Sequence, residues 1–295
     1  METHDMARLD LFYTALAPAI WGSSYIVTTS LLPGQSPLLV ALLRALPAGL
    51  ILLLLVRQLP PLSWIPKLLI LAMLNFSLFW TLLFVSAYRL PGGVAATLGA
   101  TQPLLVVFLS AYALKTPMRP AALLAGSLGI IGVALLVLTP EAKLDMWGAI
   151  AGLGGAASMA AGVVLTRKWQ PPVPPLTLTA WQLTAGGVLL VPFAAPNLLD
   201  ILSLTGANLL GLAYMSLVGG ALTYILWFRG IARIEPAKVS LLGVLSPLTA
   251  VILGWVLLAQ SLTQMQFIGA ALALFSLWLG QTDLSLKSIG PRSSA

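Results

Sequence analysis

The sequence predicts an all-α membrane protein of ten transmembrane helices, built as two inverted five-helix repeats. Three observations predict it. Hydrophobic residues make up 59% of the 295 residues and charged residues only 8%, against about 25% charged in a soluble domain. The apolar residues fall into ten runs of bilayer-spanning length. Basic residues gather in alternate connections between those runs.

A soluble fold must cover its surface with polar groups, and this composition leaves too few. A bilayer is the solvent that fits. A helix needs about 20 apolar residues to cross one. Breaks at Pro, Gly, Arg, Lys and Asp delimit runs at 11–31, 37–56, 66–88, 92–114, 119–139, 146–167, 175–194, 206–229, 237–258 and 263–282. Barrel strands alternate between polar and apolar residues. The stretch LLPGQSPLLVALLRALPAGLILLLLV does not alternate. The opening METHDMARLD is short and mixed in charge, and the run after it passes into WGSSYIVTTS without a cleavage signal. It reads as a retained first span.

Ten spans put both termini on one side. That side takes Arg8, Arg57, Lys67, Lys115, Arg119, Arg167, Lys168, Arg229, Arg233, Lys238, Lys287 and Arg292. The other takes Arg89 and Lys143, and Arg44 lies inside a span. Basic residues favour the cytoplasmic face, so both termini are expected there. This placement also accounts for the net charge of +7, and no nucleic-acid partner is implied. The expected partners are the lipid bilayer and a small-molecule substrate, with the chain a monomer. Residues 285–295 read as a disordered polar tail.

The second half echoes the first. With a shift of 138 residues, Pro37 falls on Pro175, Arg44 on Gln182 and Gly49 on Gly187. With a shift of 144, Phe84 falls on Phe228, Arg89 on Arg233, Gly99 on Gly243 and Pro103 on Pro247, and a shift of 143 puts Gly126 on Gly269. The expected repeats are residues 1–140 and 141–284. Five spans is an odd number, so the second repeat enters the membrane with the opposite orientation. Inverted repeats are a recurrent plan of secondary transporters, because two such halves can exchange conformations around a central site. Small-residue stripes, Gly126/Gly129/Gly132 and Gly148/Gly152/Ala156/Ala160, predict close helix contacts.

Several chemistries are excluded. There is no cysteine, and the single histidine, His4, precedes the first span, so neither disulfides nor thiolate or histidine metal sites are available. No cofactor is expected. Every Asp and Glu lies at a span end or in a loop, which leaves no membrane carboxylate for a proton relay. No Gly-Lys-Ser/Thr phosphate loop is present. The remaining mechanism is facilitated diffusion by alternating access, and the chain is not expected to be an enzyme.

The residues that stand out resemble a known family. Trp21-Gly22 in span 1, Arg44 in span 2, and the helix-breaking pairs Gln102-Pro103 and Ser246-Pro247 are similar to the drug/metabolite transporter superfamily, in its ten-helix EamA-like branch. Within it the chain is most similar to bacterial exporters of aromatic amino acids of the YddG type. The resemblance covers both halves. It implies a multi-pass exporter of the bacterial inner membrane with a central cavity, and an aromatic amino acid as substrate.

Polar and aromatic residues inside spans supply the candidate substrate site: Trp21, Ser24, Arg44, Asn75, Phe79, Gln102, Ser158, Gln182, Tyr224 and Ser246. Polar side chains in a span prefer the protein interior to hydrocarbon. The prolines at 103 and 247 free backbone carbonyls and bend their helices, as cavity-lining helices require. Arg44 has two readings. It grips a substrate carboxylate with paired hydrogen bonds, or it is a structural arginine bonded to carbonyls or snorkelling to the outer interface. The substrate also has alternatives: another amphipathic metabolite or a drug. An intramembrane enzyme would need a nucleophile or metal ligands that no span holds, and a channel has no use for an inverted repeat.

Overall fold

The computed structural model describes residues 2–90, 92–137, 145–258 and 263–281. The expected tail, 285–295, and the loop residues Glu141 and Lys143 lie outside the described residues. Among the described residues every regular element is helical. Hydrocarbon enforces this, because a helix satisfies its backbone hydrogen bonds within one segment.

The chain begins with α1 (Glu2–Leu31) and α2 (Pro37–Val56), linked by a turn in which Gly34 takes φ 71°. Next, α3 (Ile65–Ala72), a π-helical turn (Met73–Ser77) and α4 (Leu78–Arg89) run on as one rod. The next rod is broken into α5 (Gly92–Gly99) and α6 (Gln102–Leu114), because Pro103 cannot continue the hydrogen-bond ladder. Then come α7 (Pro120–Val137), α8 (Met146–Trp169) and α9 (Pro175–Ala194). A 3-10 segment, Ala195–Ser203, extends α9. The next rod joins α10 (Gly206–Ala213), a π-helical stretch (Tyr214–Leu222) and α11 (Thr223–Arg233). The one after it joins α12 (Pro236–Leu241), a 3-10 turn (Leu242–Val244) and α13 (Leu245–Leu258), and α14 (Gln264–Gln281) is last.

Helix ends follow local chemistry. Proline opens α2, α9 and α12, where its missing N–H costs nothing. The Asp145 carboxylate accepts from Gly148 N at 2.6 Å and starts α8. Thr205 and Asn208 form a reciprocal capping box before α10.

Eight helical stretches are long and apolar enough to cross a membrane, so this is a multi-pass membrane protein. The eight do not include α1 or α14. The reason is composition: WGSSY and TTS dilute α1, and Gln264, Gln266 and Gln281 dilute the 18-residue α14. Large apolar side chains point outward along the rods, with Leu54 at 74% exposure and Phe193 at 65%. Lipid is the medium that accommodates them.

Packing is pairwise and close. α2 crosses α9, and α7 lies along α14. α8 packs on α4 and α6, while α1 packs on α11 and α13. Glycines sit at the crossings. A Cβ on Gly187 would meet Leu46 Cβ at 2.7 Å, and one on Gly49 would overlap the backbone of Thr184. Between α7 and α14, a Cβ added to Gly132 would come within 2.6 Å of Ala273 N, and one added to Gly269 within 2.5 Å of Leu136 N. Lipid tails are as apolar as leucine, so close backbone approach and dispersion, rather than the hydrophobic effect, hold these helices together.

Charges knot one end of the bundle. At the start of α1, buried Asp10 accepts from Arg229 Nε (2.9 Å) and Nη2 (2.7 Å) and from Arg233 Nη1 (3.1 Å). Nearby, Arg119 pairs with Glu235 at 3.3 Å. Arg167 donates to the terminal carbonyls of α11, at Ile231 (3.2 Å) and Ala232. Burial raises the Asp10 pKa, but hydrogen bonds and attraction from the two guanidinium groups outweigh burial and hold it below its ordinary 3.8.

Two outcomes follow for stability. Asp10→Asn should cost about 1–2 kcal/mol, less than the loss of a fully buried pair because both arginines are part-exposed, and should lower Tm in detergent. A lowered pKa stabilises above the unfolded value, so the wild-type contribution is complete at neutral pH and is lost as pH falls below 3.8. Gly132→Leu should abolish the monodisperse folded peak in size-exclusion chromatography, since backbone atoms of α14 occupy the space.

Candidate functional site

A cavity of about 500 Å³ occupies the middle of the bundle. It reaches exposed Pro33 and Gly34 at the α1–α2 turn. The other end of α1 carries the Asp10 knot. The walls come from α1, α2, α4, α5, α6, α8, α11, α12 and α13 with the 3-10 turn between those two, together with Met215 of the second π segment.

One carbonyl organises its inner wall. Gly219 O, in the π segment Tyr214–Leu222, accepts from Arg44 Nη2 at 2.8 Å, from Trp21 Nε1 at 3.1 Å and from Thr223 Oγ1 at 2.9 Å. A π turn shifts the backbone ladder by one residue and so presents a carbonyl to side chains. Arg44, buried at 5% exposure, stacks its guanidinium over the Trp80 ring with 4.6 Å to the centroid. Charge, carbonyl and ring face share the cost of placing a cation at this depth. This is the structural reading of Arg44 in part, and it leaves the side chain on the cavity wall.

Aromatic rings form the rest of that wall. Trp21 lies 5.0 Å from Tyr224 and 5.1 Å from Trp227 between ring centroids. Phe76 lies behind, 4.5 Å from Tyr224 and 5.2 Å from Trp80. Three polar atoms of lining residues are buried without a hydrogen-bond partner among the described residues: Ser24 Oγ, Ser86 Oγ and Trp227 Nε1. Such atoms await a ligand or water. Arg44 is the charged side chain in the lining, and no carboxylate joins it among the described residues.

Two helix breaks line the cavity. Gly99 and Gly243 line it, each four residues before a proline, Pro103 and Pro247, which line it too. A Cβ built on either glycine meets nothing within 4 Å.

Of the residues singled out from sequence, Trp21, Ser24, Arg44, Phe79, Gln102, Tyr224 and Ser246 line this one cavity. Asn75, Ser158 and Gln182 lie behind the wall. Asn75 Nδ2 donates to Gln182 Oε1 at 2.8 Å, and Ser158 Oγ donates to Leu74 O at 2.8 Å. Sequence reasoning passed over Trp227, Met159, Met215 and Ser240, which also line the cavity. A helical-face count gives a signal for two of them: Trp227 follows Tyr224 by three residues, and Ser240 precedes Gly243 by three.

An aromatic-walled cavity enclosed by membrane helices, open at one end and knotted at the other, defines a class: a membrane transporter of small metabolites, not an enzyme. Comparison makes the class particular. The model of the EamA-like transporter family matches residues 9–138 and again 146–280, and the chain belongs to this family. Protein PecM of Dickeya dadantii (strain 3937) is 44% identical over 276 residues, covering 92% of each chain. The "uncharacterized inner membrane transporter YedA" of Escherichia coli (strain K12) is 29% identical, over 88% of this chain and 86% of that one. A "probable amino-acid metabolite efflux pump" of Salmonella typhimurium is 26% identical, over 93% and 95%. A crystal structure superposes with a TM-score of 0.77 at 18% identity, over 92% of this chain and 97% of that one. This shows a shared fold.

Filling the cavity tests its role. Gly243→Leu and Gly99→Leu place side chains in open space, so folding should be kept while transport by reconstituted protein falls by about tenfold or more, as expected where a well-placed contact worth about 1.4 kcal/mol is lost.

Proposed function

We propose that this protein is a passive carrier of aromatic amino acids or closely similar amphipathic metabolites, working by alternating access in a bacterial inner membrane. The observation that carries the reading is the joint presence, on one cavity wall, of an aromatic cluster and Arg44 with an unpartnered serine, Ser24, beside it. An aromatic side chain has apolar ring surface to bury, and a carboxylate suits a guanidinium. The volume falls in the range of small-molecule sites, about 300–1,000 Å³.

The architecture we propose is ten crossings in two inverted repeats, 1–140 and 141–284, with both termini cytoplasmic and the chain working as a monomer. The packing supports it. If spans 1–5 correspond to spans 6–10, α2 on α9 and α7 on α14 are self-related contacts. Likewise α8 on α4 and α6 is the counterpart of α1 on α11 and α13. The family match also falls into two consecutive segments, one per half. In this arrangement the open end faces the periplasm. The Asp10 knot, Arg119–Glu235 and the Arg167 cap then close the cytoplasmic end. Transport without ATP or a coupling ion follows from the acidic residues, all of which sit at span ends or in loops. The Salmonella relative's printed name, an amino-acid metabolite efflux pump, favours an amino-acid-derived substrate.

Counterflow in proteoliposomes tests this. Labelled tryptophan or phenylalanine should enter faster when unlabelled substrate is loaded inside, and net flux should cease at equal concentrations without any ion gradient. Arg44→Gln should lower uptake by about tenfold or more at unchanged membrane abundance, the value of one charge-assisted hydrogen bond. Accumulation that collapses with a protonophore, or wild-type flux in Arg44→Gln, would overturn the reading.

A further inference from the structure

The broken spans and the buried polar groups behind the cavity each have a repeat-related counterpart. The buried polar groups carry an inference furthest. The shift of 138 that puts Arg44 on Gln182 belongs with the shift of 144 that puts Asn75 on Gly219 and Trp80 on Tyr224. The structure pairs these positions in the same way. Arg44 of α2 donates to Gly219 O in the π stretch 214–222 at 2.8 Å. Gln182 of α9 accepts from Asn75 in the π turn 73–77, also at 2.8 Å. Both π segments occur at the same place in their spans, between α3 and α4 and between α10 and α11. The molecule therefore holds two copies of one device: a polar side chain of the second or seventh span hooked onto a π turn of the eighth or third.

The copies differ in surroundings. Arg44 lines the cavity. Asn75 and Gln182 are both at 0% exposure, and Asn75 Oδ1 and Gln182 Nε2 have no partner among the described residues. Two orphaned polar atoms, one acceptor and one donor, on one hydrogen-bonded amide pair in a membrane interior are costly unless something satisfies them in another state. Gly162 contributes to the same spot: its missing side chain is what gives Asn75 Oδ1 its place.

We propose that Asn75 and Gln182 form a second substrate subsite, exposed when the carrier opens toward the cytoplasm. The inference rests on the carrier reading above. When the halves exchange conformations, the cavity closes over Arg44 and Gly219 and opens over their repeat counterparts. The subsite takes the polar head of a carboxylate-bearing, zwitterionic substrate through neutral hydrogen bonds. Gln182 Nε2 donates to the carboxylate, and Asn75 Oδ1 accepts from the ammonium. Substrate thus meets a guanidinium on one side of the membrane and an amide pair on the other.

The chain contains no cysteine, so single-cysteine variants report accessibility directly. A membrane-impermeant maleimide is applied to right-side-out and to inside-out vesicles carrying Ser24→Cys, Asn75→Cys, Gln182→Cys or Ser246→Cys. Ser246→Cys, near the ninth-span break, reports the carrier cycle and should label from both faces. Ser24→Cys should label from the periplasmic face. Asn75→Cys and Gln182→Cys should label from the cytoplasmic face and lose that labelling with saturating tryptophan. Thr166→Cys, 3.5 Å from Asn75, replaces either variant that fails to reach the membrane. If Ser246→Cys labels from both faces and the Asn75 and Gln182 positions from neither, or from the periplasmic face, the subsite is refuted and the carrier reading stands. If Ser246→Cys labels from one face only, the carrier reading fails and the subsite with it.

Discussion

Backbone hydrogen bonding in hydrocarbon governs this molecule. A peptide group facing lipid has no water to turn to, so each N–H and C=O must find a partner inside the protein. That is why the described residues form rods, and why departures from the α-helix are informative. They occur where protein or cavity surrounds the chain: the π segments at 73–77 and 214–222, and the proline breaks at 103 and 247. The carbonyl of Gly219 illustrates the exchange. Presented by a π turn, it accepts from an arginine, a tryptophan and a threonine, and so places on the cavity wall the guanidinium and the indole that α1 and α2 carry.

The same constraint explains how little else is charged. Arg44 sits deep because a carbonyl and the face of Trp80 share the work of solvating it. Among the described residues, Asp145 caps α8, and Asp10 and Glu235 bind arginines. At one end this produces a knot: Asp10, Arg229 and Arg233 tie α1 to α11, and Arg167 caps the carbonyls that end α11. Closure is therefore polar where the cavity is apolar. Polar contacts can be exchanged for water at modest cost, whereas the glycine crossings of α2 with α9 and α7 with α14 bring backbones into direct contact.

The membrane setting and the helices were legible from composition and from the spacing of charges, and eight helical stretches are long and apolar enough to cross a bilayer. Gly49 and Gly187 also stood out, and each sits at the α2–α9 crossing, facing the other helix's backbone or Cβ. The site was legible in part. Trp21, Ser24, Arg44, Phe79, Gln102, Tyr224 and Ser246 were found by a single criterion, polar or aromatic within a span. That criterion has no direction in it. It selects Asn75, Ser158 and Gln182 as readily, although these three bond to one another's helices behind the wall. It also passes over Met159 and Met215, which look like ordinary apolar bulk.

The sequence by itself determined the solvent and the architecture class, because transfer into lipid is additive along the chain and every residue contributes wherever its neighbours lie. It also offered the prolines beside which two rods break, 103 and 247, although Pro18, Pro47 and Pro192 lie inside unbroken helices. Only the tertiary structure decided which polar residues share a cavity and which satisfy each other. Rotation of a helix about its axis changes neither length nor hydropathy, and it is set by the glycine crossings and ring contacts of its neighbours. The π turns belong to the same class. Nothing in MLNFS or YMSLVGGAL requires an extra residue in the turn. It becomes favourable when a side chain from another helix, such as Arg44, takes the carbonyl that the turn presents.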